Sequence, residues 1–98
     1  IIDLGDLVIN RGSRAVTLEG KQLDLRPREF DLLAHLAANP GRVYTRDQLL
    51  QDVWGFEYSG DTRTVDVHVR WLRLKIEKDP SKPTLLGTVR GVGYRISV

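Results

Sequence analysis

Arginine is the side chain on which the chemistry of this sequence turns. Between Asp61 and Lys78 apolar residues recur at helical spacing. At about 100° per residue, Val65, Val69, Leu72 and Ile76 gather within about 60° and form one apolar stripe. The opposite side carries Arg63, Thr64, Val67, Arg70, Trp71 and Leu74, with Arg73 and Lys75 on the flanks and His68 beside the stripe. A guanidinium can fork onto a guanine edge or hold a phosphate. The methyl groups of Val67 and Thr64 are of the kind that meet a thymine methyl. A solvated helix more often carries Glu, Lys and Gln there. Two readings stand side by side at this level. The face reads a nucleic-acid groove, or its Val67, Trp71 and Leu74 pack on another element.

A second arginine sits where the chain must turn. In Arg90-Gly91-Val92-Gly93 the glycines permit a tight hairpin tip from which Arg90 projects. A guanidinium on a thin ribbon suits a narrow minor groove, where negative potential is focused. An incidental surface charge is the plainer account of one such residue. Catalytic chemistry has less to stand on. His35 and His68 lie on separate helices without a matching acid spacing, and the chain has no cysteine. Disulfides, thiol chemistry and Cys-based zinc sites are therefore excluded. No nucleophile elbow, phosphate loop or metal triad is present, and Gly91-Val92-Gly93 is too short and wrongly placed for a dinucleotide loop. No enzymatic activity, metal or cofactor is expected.

Composition bounds the rest. The 98 residues suit one domain spanning 1–98, with 41% hydrophobic residues for a single modest core. No apolar run approaches the ~20 residues of a membrane span, and Asp3 and Asp6 interrupt the first apolar stretch where a signal peptide would need continuity. A cysteine-free chain fits a reducing compartment, so a cytoplasmic location is expected. The net charge of +2 is unevenly spread: residues 59–98 carry eight Lys/Arg against four acids, and the remainder carries seven against nine. A basic C-terminal half is an ordinary solvated charge mix or a sign of an anionic partner on one side, and charge alone does not favour the partner. The first residue is Ile1 rather than Met, which suggests a piece of a longer protein with an upstream domain.

The elements that must position these arginines follow from local pattern. Short apolar runs at Leu7-Val8-Ile9, Ala15-Val16-Thr17-Leu18 and Gln22-Leu23-Asp24-Leu25, separated by Gly-containing turns, predict a small antiparallel sheet within Ile2–Leu25. Pro27 to Asn39 predicts a helix, with Pro27 at its first position and Asn39-Pro40-Gly41 ending it. Thr45-Arg46-Asp47-Gln48 has capping-box spacing and opens a second helix, whose apolar side is Leu49, Leu50, Val53 and Trp54. Gly55 to Gly60 is a loop with two aromatics. Asp61 caps the third helix, and Asp79-Pro80 stops it. Leu85–Val89 and Tyr94–Val98 flank the hairpin tip. Strands, three helices and a terminal hairpin are what a helix-turn-helix with a wing requires.

Four segments in this order resemble the OmpR/PhoB family, the C-terminal effector domains of two-component response regulators. They are Arg42-Val43-Tyr44-Thr45-Arg46-Asp47-Gln48-Leu49-Leu50, Val53-Trp54-Gly55, Arg63-Thr64-Val65-Asp66-Val67-His68-Val69-Arg70 and Thr88-Val89-Arg90-Gly91-Val92-Gly93-Tyr94-Arg95. The resemblance covers nearly the whole chain. It implies an α+β winged helix-turn-helix: an N-terminal four-stranded antiparallel sheet, three helices and a C-terminal β-hairpin wing. It implies sequence-specific binding of double-stranded promoter DNA in transcription regulation, at the output end of a phosphorelay. The third helix would enter the major groove through Arg63, Thr64, Val67, His68, Arg70, Trp71 and Arg73. Trp54 and Arg46 would touch phosphates. Thr88, Arg90, Gly91 and Tyr94 would serve the wing, with Arg90 in the minor groove.

Further partners come with the resemblance. A second copy would bind head-to-tail on direct repeats, governed by an upstream receiver domain and a sensor histidine kinase. The Gly55–Gly60 loop matches a transactivation loop, where Phe56, Glu57 and Tyr58 are candidates for contact with RNA polymerase, with at least one aromatic expected to fold back on the core. Two positions depart from the family pattern. Arg26 stands where a capping Thr or Ser is common, which is expected to weaken that cap by about 1 kcal/mol. Trp71 stands where Arg is common. It cannot make a bidentate guanine contact, but it can stack on sugar or meet a thymine methyl. Rival readings are a winged-helix protein-interaction module that uses Val67, Trp71 and Leu74, and RNA binding, which lacks its usual aromatic pair on an exposed sheet.

Overall fold

The computed structural model describes residues 1–56, 58 and 60–97. Four short strands open the chain: β1 (Ile2–Leu4), β2 (Leu7–Asn10), β3 (Ala15–Leu18) and β4 (Lys21–Leu23), paired antiparallel in chain order. Period-two alternation points Leu7, Ile9 and Val16 inward, and Ile9 sits opposite Val16 in the register. The tight turns are held by side chains, since Asp3 and Asn10 accept the Gly5 and Gly12 amides at 2.9 and 3.0 Å.

Helix α1 (Pro27–Ala37) begins at the predicted proline. Arg26 offers no side-chain cap, but Glu29 compensates. Its carboxylate folds back to accept the Arg26 amide at 2.6 Å and the Lys75 ammonium at 2.8 Å, and Glu29 is fully buried. His35 reaches across to Asp52, with 3.0 Å between Nε2 and Oδ2. A two-residue strand, β5 (Tyr44–Thr45), leads into helix α2 (Arg46–Leu49). Both halves of the capping box form: Thr45 Oγ1 accepts the Gln48 amide at 3.0 Å, and Gln48 Oε1 accepts the Thr45 amide at 2.9 Å. The sequence pattern predicts one helix that carries Leu49, Leu50, Val53 and Trp54 on its apolar side. Instead α2 widens after one turn into a π-type turn over Leu50–Trp54, closed by the Gly55 amide on the Leu50 carbonyl at 3.0 Å. Gly55 leaves at φ +100°, a conformation that suits glycine.

Helix α3 spans Arg63–Ile76, shorter at each end than the predicted 61–78. Asp61 lies just outside and accepts the Arg63 amide at 2.9 Å. At the other end Glu77 turns extended, and its carboxylate collects the amides of Thr84, Leu85 and Leu86 at 2.9, 3.0 and 2.8 Å. Strands β6 (Leu86–Val89) and β7 (Gly93–Ile96) form the terminal hairpin, and β5 adds to its edge in the order β5-β7-β6. Thr45 pairs with Gly93, so closely that a Cβ on Gly93 would collide with the Tyr44 carbonyl.

One core joins the parts. Leu7, Ile9 and Val16 from the first sheet, Phe30, Leu32, Leu33 and Leu36 from α1, Leu49, and Leu86, Tyr94 and Ile96 from the hairpin enclose Val65, Val69, Leu72 and Ile76 of α3. Each such aliphatic side chain contributes about 1.5–3 kcal/mol on burial. This is the predicted winged helix-turn-helix, in which three helices present α3 beside a hairpin. Among the described residues no helix is long and apolar enough to cross a membrane.

Candidate nucleic-acid interface

With its core stripe buried, α3 exposes a narrow line of side chains: Arg63, Val67, Arg70 and Leu74. Their spacing of four, three and four residues keeps them on one side of the helix. Val67 and Leu74 are 42% and 61% exposed, unusual for apolar residues on a surface helix. Arg63 is tethered at its base, because its guanidinium bonds to the Asp61 carboxylate at 3.1 Å. The Arg63 amide, and then the guanidinium, hold that carboxyl below the usual range. Arg70 has no hydrogen-bond or ion-pair partner among the described residues. Thr64 is half-buried beside this line.

The flank of α3 that faces the hairpin is polar and closed. Asp66 Oδ1 accepts from Arg46 Nε at 2.7 Å and from the Tyr94 hydroxyl at 2.6 Å. Arg73 donates from Nε to the Leu86 carbonyl at 3.0 Å and from Nη2 to Thr88 Oγ1 at 2.7 Å. Both guanidinium groups also lie over the Tyr94 ring, at 5.1 and 5.7 Å. Burial, with help from Asp66, pushes the Tyr94 phenol above its ordinary range. Three residues assigned to DNA contact by resemblance are therefore engaged within the protein. Arg46 and Arg73 bind their neighbours, and Tyr94 is only 5% exposed. Pattern alone could not show this, because the partners are remote in sequence.

The flank that faces α1 is built from planes. Trp54 meets His68 edge-on with 4.9 Å between ring centroids, His68 leans on Trp71 at 4.9 Å, and the Arg26 guanidinium lies 4.4 Å over Trp71. His68 Nδ1 is 2.7 Å from the Thr64 carbonyl, so that nitrogen carries the hydrogen. A helical wheel puts Trp71 among the outward residues. The structure places it at the edge of that group, half-buried, because its ring turns toward His68 and Arg26 and away from the Val67–Arg70 line. Sequence pattern marked Arg26 only as a missing cap and gave no sign of this contact.

At the wing, Arg90, Gly91 and Val92 are exposed at the tip, with Gly91 at φ +74°. Thr88 is exposed alongside, though its hydroxyl accepts from Arg73. In the loop after α2, Phe56 is 87% and Tyr58 41% exposed, so neither folds back on the core as one of them was expected to do. Glu57 lies outside the described residues.

The family model described as "Transcriptional regulatory protein, C terminal" matches residues 20–96. The DNA-binding response regulator MtrA of Mycobacterium tuberculosis is 50% identical over 95 residues, covering 97% of this chain and 42% of MtrA. The chain thus spans about two fifths of the length of this curated relative. Among solved structures, response regulator DrrB of Thermotoga maritima, an OmpR/PhoB homologue, superposes with a TM-score of 0.91 at 40% identity, covering 98% of this chain and 43% of DrrB. The DNA-binding domain of Klebsiella pneumoniae RstA, solved in complex with RstA box, superposes at 0.89 with 36% identity, covering 98% of this chain and 95% of that one. Matched in sequence along most of its length and in shape along nearly all of it, the chain belongs to the C-terminal domains of transcriptional regulatory proteins, the winged-helix domains of OmpR/PhoB-type response regulators.

Proposed function

We propose that this domain binds double-stranded promoter DNA sequence-specifically, with α3 in the major groove and the β6–β7 wing over the adjacent minor groove. One observation carries the reading. The most exposed side of α3 combines two arginines with two exposed apolar residues, Arg63, Val67, Arg70 and Leu74, and a further arginine, Arg90, stands at the wing tip. Guanidinium groups supply phosphate and guanine contacts, and Val67 supplies a methyl surface for thymine. A domain of the same shape, that of RstA, is held in complex with its RstA box.

The wider role rests on the relatives. The domain would serve as the output of a two-component response regulator, with an upstream receiver domain phosphorylated by a sensor histidine kinase. Two copies would bind direct repeats head-to-tail. Exposed Phe56 and Tyr58 offer an aromatic surface for RNA polymerase beside the DNA.

Titration of genomic duplex fragments at two salt concentrations tests the central reading. Affinity should fall steeply with salt. Arg70→Ala should weaken binding by about 1–3 kcal/mol and relax preference at one base pair, and Arg90→Ala should also weaken it. If neither substitution weakens duplex binding, the reading is wrong, and capture of a protein by the Val67–Leu74 line becomes the better account.

A further inference from the structure

Arg26, just before α1, and Trp71, on the flank of α3, touch each other. We propose that they form one composite site for the phosphodiester backbone at the edge of the major groove: Arg26 binds a phosphate, and Trp71 is the platform that aims it. The proposal rests on the DNA-binding reading of α3 and deepens it.

The Arg26 guanidinium lies 4.4 Å over the Trp71 ring, and the Arg26 side chain is still 58% exposed. A guanidinium held over an indole by cation–π attraction uses no N–H donor in that contact, so its remaining N–H groups can serve another partner. Its one ion-pair partner among the described residues is already engaged. Glu29 is fully buried and already receives the Lys75 ammonium at 2.8 Å, whereas Arg26 reaches it only at 3.4 Å through one nitrogen. Two cations therefore face one carboxylate, and the surplus positive charge resides on the more exposed of them.

Trp71 fixes where that charge stands. It occupies the α3 flank next to the Val67–Arg70 line, pressed from behind by His68, which is pressed in turn by Trp54. A guanidinium carried on this stack lies beside the reading face rather than on it. Beside a helix seated in a major groove is where the sugar–phosphate wall runs. The opposite flank differs, because Arg46 and Arg73 each commit two nitrogens to contacts within the protein, on Asp66 and Tyr94 and on Leu86 and Thr88.

Duplex binding of the wild-type domain and of the Arg26→Gln, Arg26→Lys and Trp71→Leu variants, measured across several salt concentrations and against two different binding sites, tests the pair. Each phosphate contact contributes about 0.9 to the slope of log affinity against log salt. Arg26→Gln keeps a planar group on Trp71 but loses the charge. It should lower the slope by about one and weaken both sites by the same factor. Arg26→Lys should keep the wild-type slope, which separates charge from any effect on folding. Trp71→Leu should weaken both sites equally and leave base preference unchanged. A wild-type slope in Arg26→Gln overturns the proposal, as does a Trp71→Leu variant that changes which site is preferred. A wild-type domain that binds no duplex overturns the DNA-binding reading and this proposal with it.

Discussion

On its wing side α3 is held by hydrogen bonds with fixed directions, and on its α1 side, beyond the Lys75–Glu29 ion pair, by stacked planes. Asp66 and Arg73 engage Arg46, Tyr94, Leu86 and Thr88 at 2.6 to 3.0 Å. Trp71 and His68 instead meet Trp54 and Arg26 face or edge on, at 4.4 to 4.9 Å. Directional bonds set an angle and consume donors. Stacking tolerates sliding and leaves the in-plane donors of a guanidinium unspent. The same residue type thus serves two ends: Arg46 and Arg73 brace the protein, and Arg26 remains available to a ligand.

The comparison can be broken most severely through the backbone of the wing side. Gly93→Ala drives a Cβ into the Tyr44 carbonyl, and neither atom belongs to a side chain that can rotate away. A loss of about 3 kcal/mol is expected in denaturant unfolding, the upper part of the range for overpacking. A loss under 1 kcal/mol would mean that β5 and β7 can separate freely. Asp66→Ala is a milder break. It strands the Tyr94 hydroxyl and frees Arg46, at about 1–2 kcal/mol for a partly exposed charged hydrogen bond. Faster amide exchange in β6 and β7 should accompany it. Tryptophan emission should hold steady, because the chain has two tryptophans and both lie in the opposite stack. A shifted emission would show that the two flanks are not independent.

The smallest expected effect is on acid stability. Burial pushes the Glu29 carboxyl up, but the Lys75 hydrogen bond, the Arg26 amide and the two cations outweigh it, so the net shift is downward. The folded state then holds this proton less tightly than the unfolded chain does. Stability from Glu29 is present above the ordinary glutamate range, about 4.3, and is lost as pH falls through the lower folded value. Unfolding measured between pH 6 and 2 should therefore show a steeper acid limb in the wild-type domain than in Lys75→Met, which removes the strongest partner. Equal limbs would deny Lys75 that role.

Much of this architecture was written in local pattern. Pro27 marked the start of α1, Thr45 and Gln48 capped α2, and the four apolar residues of α3 assigned to the core are all buried. What escaped was decided at long range. Nothing in the local pattern around Arg46, Arg73 and Tyr94 announces the contacts with Asp66 and the wing strand that the fold brings beside them. Trp71 reads as outward on a wheel because a wheel contains no Arg26. Strand β5 has two residues and exists only because β7 passes it. The α3 end retreated to Ile76 because Glu77 gains more from three amides than from another helical turn.

That last arrangement sets a distance. Glu77 gathers the chain that returns from α3, and Arg73 clasps the strand it becomes, so the hairpin is mounted on the helix at a fixed offset. If that mount holds on DNA, the domain would act as a caliper whose helix and wing keep one spacing. Any duplex gripped by both must bring its neighbouring grooves to that gap, and the work of bending and narrowing falls on the nucleic acid. That work differs between stiff A-tracts and pliant pyrimidine–purine steps. Preference among sites would then extend to base pairs that no side chain touches.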